Sequence, residues 1–271
     1  MAVTSADGRR TGTVRHEFEH VVAAAGVLPR RAEVGDVAGA RDVFAKDGAV
    51  LLSGWDPEPD SLVVAAATLL GTRLRQVFPG RPQAGERAEA LGLHSDGADV
   101  RVDVHGRTVQ LRHEGEDVLL LLCAQPATTG GDSVLVDGYQ LVDGLRGTRP
   151  DVHAFLTGAD VDFVGSLPPR RGVPAIPRAC RMVEYTRTGR RVVRASEYAL
   201  PLPREPHWEA HQDLLDEYSD VLATAFAYAP RFRMETGELL VLDNYRYLHG
   251  RDGFEGRRLM HVLTVLSADA I

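Results

Sequence analysis

Apolar residues recur along the chain in two rhythms. Up to about residue 75 the spacing is mostly helical. Val14 to Ala25 and Val37 to Lys46 read as helices, the second stopped by Asp47-Gly48. Asp60 to Leu70 reads as a third, with Asp60 or Ser61 as its N-cap. Between the last two, Ala49 to Ser53 (AVLLS) is a short buried-strand candidate. From about Val100 the texture turns extended. Arg101 to His113 alternates around His105-Gly106 and predicts a hairpin. Val118 to Cys123, Ser133 to Val136, Asp160 to Val164, Glu238 to Leu242 and Leu259 to Leu266 predict strands. Cys180 to Thr186 and Arg191 to Ala195 pair around Thr188-Gly189, and Glu205 to Ala225 predicts one long helix.

Many short strands with few helices suggest a mainly β fold, a jelly-roll core dressed with helices. No repeat, low-complexity tract or Pro/Gly/Ser-rich linker divides the chain. One domain over 1–271 is expected, helical to about 75, with the jelly-roll core from about 76 and a helical insert at about 205–226. Composition is that of a soluble globular protein, 44% apolar and 25% charged. A formal net charge of -7 argues against a nucleic-acid partner, which needs a basic face. Cys123 and Cys180, with no CxxC spacing, exclude a disulfide framework and a cysteine zinc knuckle. The polar start has no apolar signal-peptide core, and the longest apolar run, Val118 to Ala124, is too short for a bilayer. A cytoplasmic protein without a membrane partner is the expectation.

His94-Ser95-Asp96 carries the first candidate chemistry. On an extended segment, residues two apart project to one face, so an imidazole and a carboxylate can reach one metal ion. His211-Gln212-Asp213 has the same spacing and His207-Trp208-Glu209 nearly so. Both fall in the predicted helix, where residues two apart point to nearly opposite sides. Near the C-terminus, GELLVLDNYRYLH (Gly237 to His249) reads as a turn, an apolar strand and a loop ending at His249. Two histidines and one carboxylate with three open positions are the facial triad of non-haem iron oxygenases. A co-substrate that chelates the metal through two atoms leaves a distal carboxylate to neutralise. An arginine on the next strand supplies a fork-shaped donor for it. Only one of Arg257 and Arg258 can face inward; Arg258 is chosen, with Met260, Val262 and Thr264 on its face. Asn244 reads as structural, bonding turn backbone. Arg246, Tyr247 and Arg251 beside His249, with Arg73 and Arg75 upstream, are the substrate-binding candidates. A rival is a zinc hydrolase on His207 and His211, four apart on one helical face, but its acid is misplaced for an HExxH base and no third ligand is evident. A non-catalytic jelly-roll metal or ligand binder is a further alternative, and Arg258 weighs against it.

LHSDG (Leu93 to Gly97), LLLLCAQPATTGGDSVLVDG (Leu119 to Gly138), GELLVLDNYRYLHGRDGF (Gly237 to Phe254) and RRLMHVL (Arg257 to Leu263) occur in the order found in the TauD/TfdA-type 2-oxoglutarate dioxygenases, and the chain resembles that family over about two-thirds of its length. The resemblance implies a double-stranded β-helix, iron(II) held by His94, Asp96 and His249, and 2-oxoglutarate and O2 as co-substrates. It also implies that Arg258 pairs with the distal carboxylate of 2-oxoglutarate, assisted by the hydroxyl of Ser133, where the family often has threonine. Length and C-terminal pattern are similar to the natural-product tailoring branch that includes carbapenem synthase. The related halogenases carry glycine or alanine in place of Asp96, so Asp96 implies hydroxylation of a small-molecule substrate, or desaturation or ring closure by the same oxidant. Between Asp96 and Gly130-Gly131 the chain is longer than in the taurine oxygenase type by about one hairpin; residues 99–114 are either a substrate lid or a solvated hairpin.

Overall fold

The computed structural model describes residues 3–4, 10–78, 80–96, 100–104, 107–111, 115–163, 179–202 and 206–270, with 3–4, 100–104 and 107–111 as backbone. Two sheets built almost wholly from antiparallel pairs carry the architecture. The larger runs in the order 129–130, 254–267, 118–125, 239–243, 49–53, 30–33, with 74–77 and 81–88 also paired to 254–267. The smaller runs 231–232, 133–137, 247–251, 91–94, with 26–27 also on 133–137. One pair, 30–33 with 49–53, is parallel.

Side-chain alternation sorts each strand between two cores. Leu51, Leu119, Cys123, Met260 and Val262 from the larger sheet meet Leu135 and Tyr247 from the smaller between the sheets. The residues between them point outward, Leu120, Leu122, Val241 and Val265 to one side and Val134, Val136 and Leu248 to the other. Helices cover both outer faces. A short turn α1 (Glu19–Val22) joins the cover of the smaller sheet. Helices α2 (Val37–Asp47) and α3 (Asp60–Leu70) cover the larger. Helices α4 (Gly138–Thr148), α5 (Pro150–Gly158) and α6 (Trp208–Tyr228) complete the cover of the smaller. Strands buried on both faces are continuously apolar, which explains the unbroken Val118 to Cys123. The fold is the helix-dressed jelly roll that the pattern predicts.

Several elements differ from the sequence expectation. The first helix shrinks to a 3-10 turn at His16–Phe18 and α1, because only Phe18, Val21, Val22 and Ala25 find a buried place. The first 75 residues are not a helical part on their own, since strands 26–27, 30–33 and 49–53 sit within the two sheets. Cys180 pairs with Val161, so the expected hairpin keeps only Val183–Tyr185 with Arg191–Val193. Strands 74–77 and 81–88 went unread because Arg81–Ala88 (RPQAGERA) lies on the sheet's edge, mostly exposed, with no apolar face to signal it. Helices α4 and α5 were readable: Asp137 caps α4 by accepting from the Tyr139 and Gln140 amides, and Pro150 opens α5. Strands 100–104 and 107–111 form the expected hairpin, Val104 opposite Arg107. The turn residues 105 and 106, and the lid question for 99–114, fall partly outside the described residues.

Leu119 is fully buried between the sheets. Leu119→Ala should therefore cost about 2–5 kcal/mol through lost transfer energy and the cavity left behind. Urea unfolding measures it; a loss below about 1 kcal/mol would show that this core collapses to fill the gap.

Candidate metal centre

Antiparallel pairing of Tyr247–Arg251 with Leu91–His94 sets His249 directly opposite His94. His249 is thus on a strand, not at the end of the expected loop. The two imidazole centroids lie 4.3 Å apart. Close packing requires a glycine next to His249, for a Cβ on Gly250 would sit 2.6 Å from the Leu91 carbonyl oxygen. His94 Nδ1 is 3.0 Å from the Gly92 carbonyl oxygen. A proton there is donated to that carbonyl, which leaves the Nε2 lone pair free. Nε2 faces Asp96 Oδ1 at 3.7 Å. His249 is buried.

Ligand atoms of His94, Asp96 and His249 lie within 4.8 Å of one another, the one such cluster among the described residues. The donor set fits ferrous iron: two imidazoles and one carboxylate, with room for further ligands. Burial pushes the His249 imidazolium down to about 3, and His94 acts in the same sense. At neutral pH His249 therefore presents the neutral imidazole that coordinates metals. Burial alone would raise the Asp96 carboxyl, but the charges of His249, Arg81 and His94 outweigh it and hold the group below the usual carboxylate range. Arg81 is the permanent cation of the three, its Nη2 donating to Asp96 Oδ2 at 2.7 Å. Sequence reading missed Arg81 because it opens the polar edge strand that carried no signal.

Arg258 is buried and Arg257 exposed, with Met260, Val262 and Thr264 buried on the Arg258 side, as the strand facing predicts. Among the described residues Arg258 has no acidic partner; its guanidinium rests near the Phe254 ring, 5.6 Å from the centroid. It lines a small cavity with Cys123, Gly131, Ser133, Arg233 and Met260. Leu135 stands opposite His249 in the smaller sheet, and Ser133 lies two residues earlier on the same face. Ser133 is therefore diagonal to His249 across the strand pair, which puts one wall of the cavity in the sheet that carries both histidines.

Other candidates are engaged elsewhere. Arg246 donates from Nε and Nη2 to Asp137 Oδ2 at 3.0 and 2.7 Å. Tyr247 is buried in the core, its hydroxyl donating to the Asp47 carbonyl. Arg251 Nη1 donates to the Glu89 carbonyl at 2.8 Å, and its guanidinium shares the Phe254 ring with Arg258. Arg73 pairs with Asp269, and Arg75 is exposed on strand 74–77. His207 and His211 lie with ring centroids 6.3 Å apart, without a third metal-ligating group among the described residues. The zinc-hydrolase rival therefore lacks a site there.

With the fold and the ligand cluster in place, comparison with known proteins names the family. Residues 17–264 match the model of the family described as "Taurine catabolism dioxygenase TauD, TfdA family". The chain belongs to that family. Gamma-butyrobetaine dioxygenase of Homo sapiens is 27% identical over 155 residues, 53% of this chain and 38% of the relative, so the match spans well under half of that protein. Among solved structures, a taurine dioxygenase from Burkholderia xenovorans superimposes with TM-score 0.58 at 18% identity, covering 90% of each chain. An asparagine oxygenase in complex with Fe(II), 2S,3S-3-hydroxyasparagine and succinate gives 0.55 at 19% identity, over 87% of this chain and 79% of that one. Both structural likenesses bear on the fold.

The Arg246–Asp137 pair joins the turn before His249 to the buried cap of α4. Arg246→Ala should lower folding stability by about 1.5–3 kcal/mol, the range for hydrogen bonds to a charged partner. Chemical denaturation reads this directly; a change under about 0.5 kcal/mol would reduce the pair to an ordinary surface contact.

Proposed function

We propose that the protein is an iron(II)- and 2-oxoglutarate-dependent dioxygenase that oxidises, by hydroxylation, an unactivated C–H bond of a small polar metabolite or natural-product intermediate. The observation that carries this is the meeting of His94, Asp96 and His249, with ligand atoms within 4.8 Å, in the sheet whose Ser133 shares a cavity with a buried arginine that has no acidic partner among the described residues. Ferrous iron with 2-oxoglutarate supplies the oxidising power: O2 gives one atom to succinate and one to the product, and CO2 leaves. The chain's part is to bind and orient. His94 and His249 offer ring nitrogens, and Asp96 adds the single negative charge that would partly offset the metal. Arg258 takes the distal carboxylate of 2-oxoglutarate, with the Ser133 hydroxyl as second donor. Ser133 lies on the strand paired with the one that carries His249, an arrangement that supports a dicarboxylate chelating at one end and pairing with Arg258 at the other. Phe254 and Met260 are buried near Arg258, and apolar neighbours of this kind exclude water and strengthen that pairing. Arg251, whose guanidinium also rests near the Phe254 ring, adds positive potential near Arg258.

Relatives supply the substrate class. Their names refer to gamma-butyrobetaine, taurine and asparagine, each a small zwitterion. A small polar, zwitterionic or anionic metabolite is the class we assign here. Succinate release over a panel of amino acids, sulfonates and betaines tests it. We place the protein in the cytoplasm, where a thiol such as that of Cys123 stays reduced. Among the described residues no helix is long and apolar enough to cross a membrane.

Adding 2-oxoglutarate anaerobically to the iron-loaded protein should produce a weak visible charge-transfer band. His249→Ala and Asp96→Ala should abolish both this band and succinate formation. Arg258→Ala should raise the half-saturating 2-oxoglutarate by about 10-fold or more, the loss expected for a charge-assisted pair, while Arg257→Ala stays near wild type. A wild-type protein without the band would remove the oxygenase reading. The reverse order of the two arginines would move the co-substrate to the other face of the strand.

A further inference from the structure

We propose that Asn244 is the positioning residue of the metal centre: its side-chain amide holds the backbone of Asp96 and thereby sets the carboxylate against the two histidines. This rests on the reading of His94, Asp96 and His249 as metal ligands. The histidines need no such help, because the strand ladder pairs them directly. Asp96 is different. Its strand ends at His94, so the ladder does not fix Asp96.

Asn244 supplies the missing hold. It sits in the turn between strands 239–243 and 247–251, the second of which carries His249, and is 2% exposed. Asp96 N–H donates to Asn244 Oδ1 at 3.1 Å, and Asn244 Nδ2 donates back to the Asp96 carbonyl at 2.9 Å. The same nitrogen donates to the Glu116 carbonyl at 2.7 Å. A primary carboxamide is the side chain that offers one acceptor and two donors in this arrangement. An aspartate of equal size would turn an oxygen toward two carbonyl oxygens. Among the described residues the other contacts on this segment do less. Ser95 is tied to Ala195 through its amide, at 3.1 Å, and through its hydroxyl, which accepts from the Ala195 amide at 3.3 Å; both anchor the preceding residue. Arg81 reaches the Asp96 carboxylate itself, but its side chain is 43% exposed, so solvent screens that pair. Asn244 is the buried contact that acts on Asp96 and lies on the chain segment leading to His249. It therefore registers the third ligand to the other two.

The test is metal binding by the metal-free protein, read without turnover. Co(II) titration by calorimetry gives the affinity, and the Co(II) visible spectrum reports the ligand geometry. Asn244→Ala and Asn244→Asp should each weaken Co(II) binding by about 10–100-fold, the usual effect of removing an outer partner of a ligand, and should alter the Co(II) spectrum. Tyr245→Phe removes a different bond of the same turn, from the hydroxyl to the Gly115 carbonyl, and should leave affinity within about 2-fold of wild type. Thermal unfolding of each metal-free variant separates folding from binding. A folded Asn244→Ala with wild-type affinity and spectrum overturns the proposal. If Asn244→Ala does not fold, the isosteric Asn244→Asp decides by the same criterion. A wild-type protein that takes up no Co(II), or an Asp96→Ala that binds it unchanged, overturns the metal reading itself and this inference with it.

Discussion

Opposite residues in an antiparallel pair are held a few ångströms apart by backbone hydrogen bonds, and the metal centre depends on that constraint at His94 and His249. The two imidazoles stand 4.3 Å apart, and burial of His249, with His94 acting in the same sense, holds the His249 imidazolium down. The ladder thus fixes the geometry of the pair and buries His249 together. It also dictates neighbours. Tyr247 and His249 face between the sheets while Leu248 faces the helices, so the strand is buried on both sides. Gly250 then has to lack a side chain for the 91–94 strand to approach. Moving the register by one residue would turn His249 out toward the helices, so that the surrounding core protects the site against slippage.

Both sheets supply the proposed co-substrate pocket. Ser133 comes from the smaller sheet; Cys123, Arg258 and Met260 come from the larger. A buried arginine without an acid is costly, since a charge removed from water needs a partner. Burial lowers the tendency of Arg258 to hold its proton, and Arg251 adds to this, but the guanidinium remains a cation at any physiological pH. The fold carries that cost in a cavity that Ser133 also lines. A bound anion would relieve it, and in the proposed function the distal carboxylate of the co-substrate is that anion.

Parts of this were legible in the residues. Val118 to Cys123 announced a central strand because burial on both faces leaves no polar position, and Leu259 to Leu266 reads alike apart from His261 and Thr264. His94 and Asp96 could be singled out over His211 and Asp213 because local structure decides whether residues two apart share a face, and α6 does place the second pair on a helix. Arg258 followed from strand alternation. The illegible parts have physical causes. Arg81 sits on an exposed edge strand with no apolar period, and pairing to 254–267 is what makes it a strand. Tertiary pairing likewise put His249 on a strand and took Cys180 from its expected hairpin. Asn244 looked like a turn residue bonded locally. Its partners, Asp96 and Glu116, are more than a hundred residues away in the chain, and sequence spacing carries no trace of such contacts.

Net charge and local field point in opposite directions here. A formal charge of -7 would repel a dicarboxylate at long range. At physiological ionic strength, however, the screening length is about 8 Å, so charges on distant surfaces count for little inside a cleft. What a ligand meets near the cavity is Arg258 and Arg233 on its wall and Arg251 across the Phe254 ring. Low-dielectric walls focus that field, and apolar neighbours weaken screening further. Asp132 and Glu235 answer Arg233 at 3.7 and 3.5 Å, which leaves Arg258 as the cation of the cavity wall without an acidic partner among the described residues. In the proposed function a single buried guanidinium would therefore select the anion, and the acidic surface, screened beyond about 8 Å, would count for little against it.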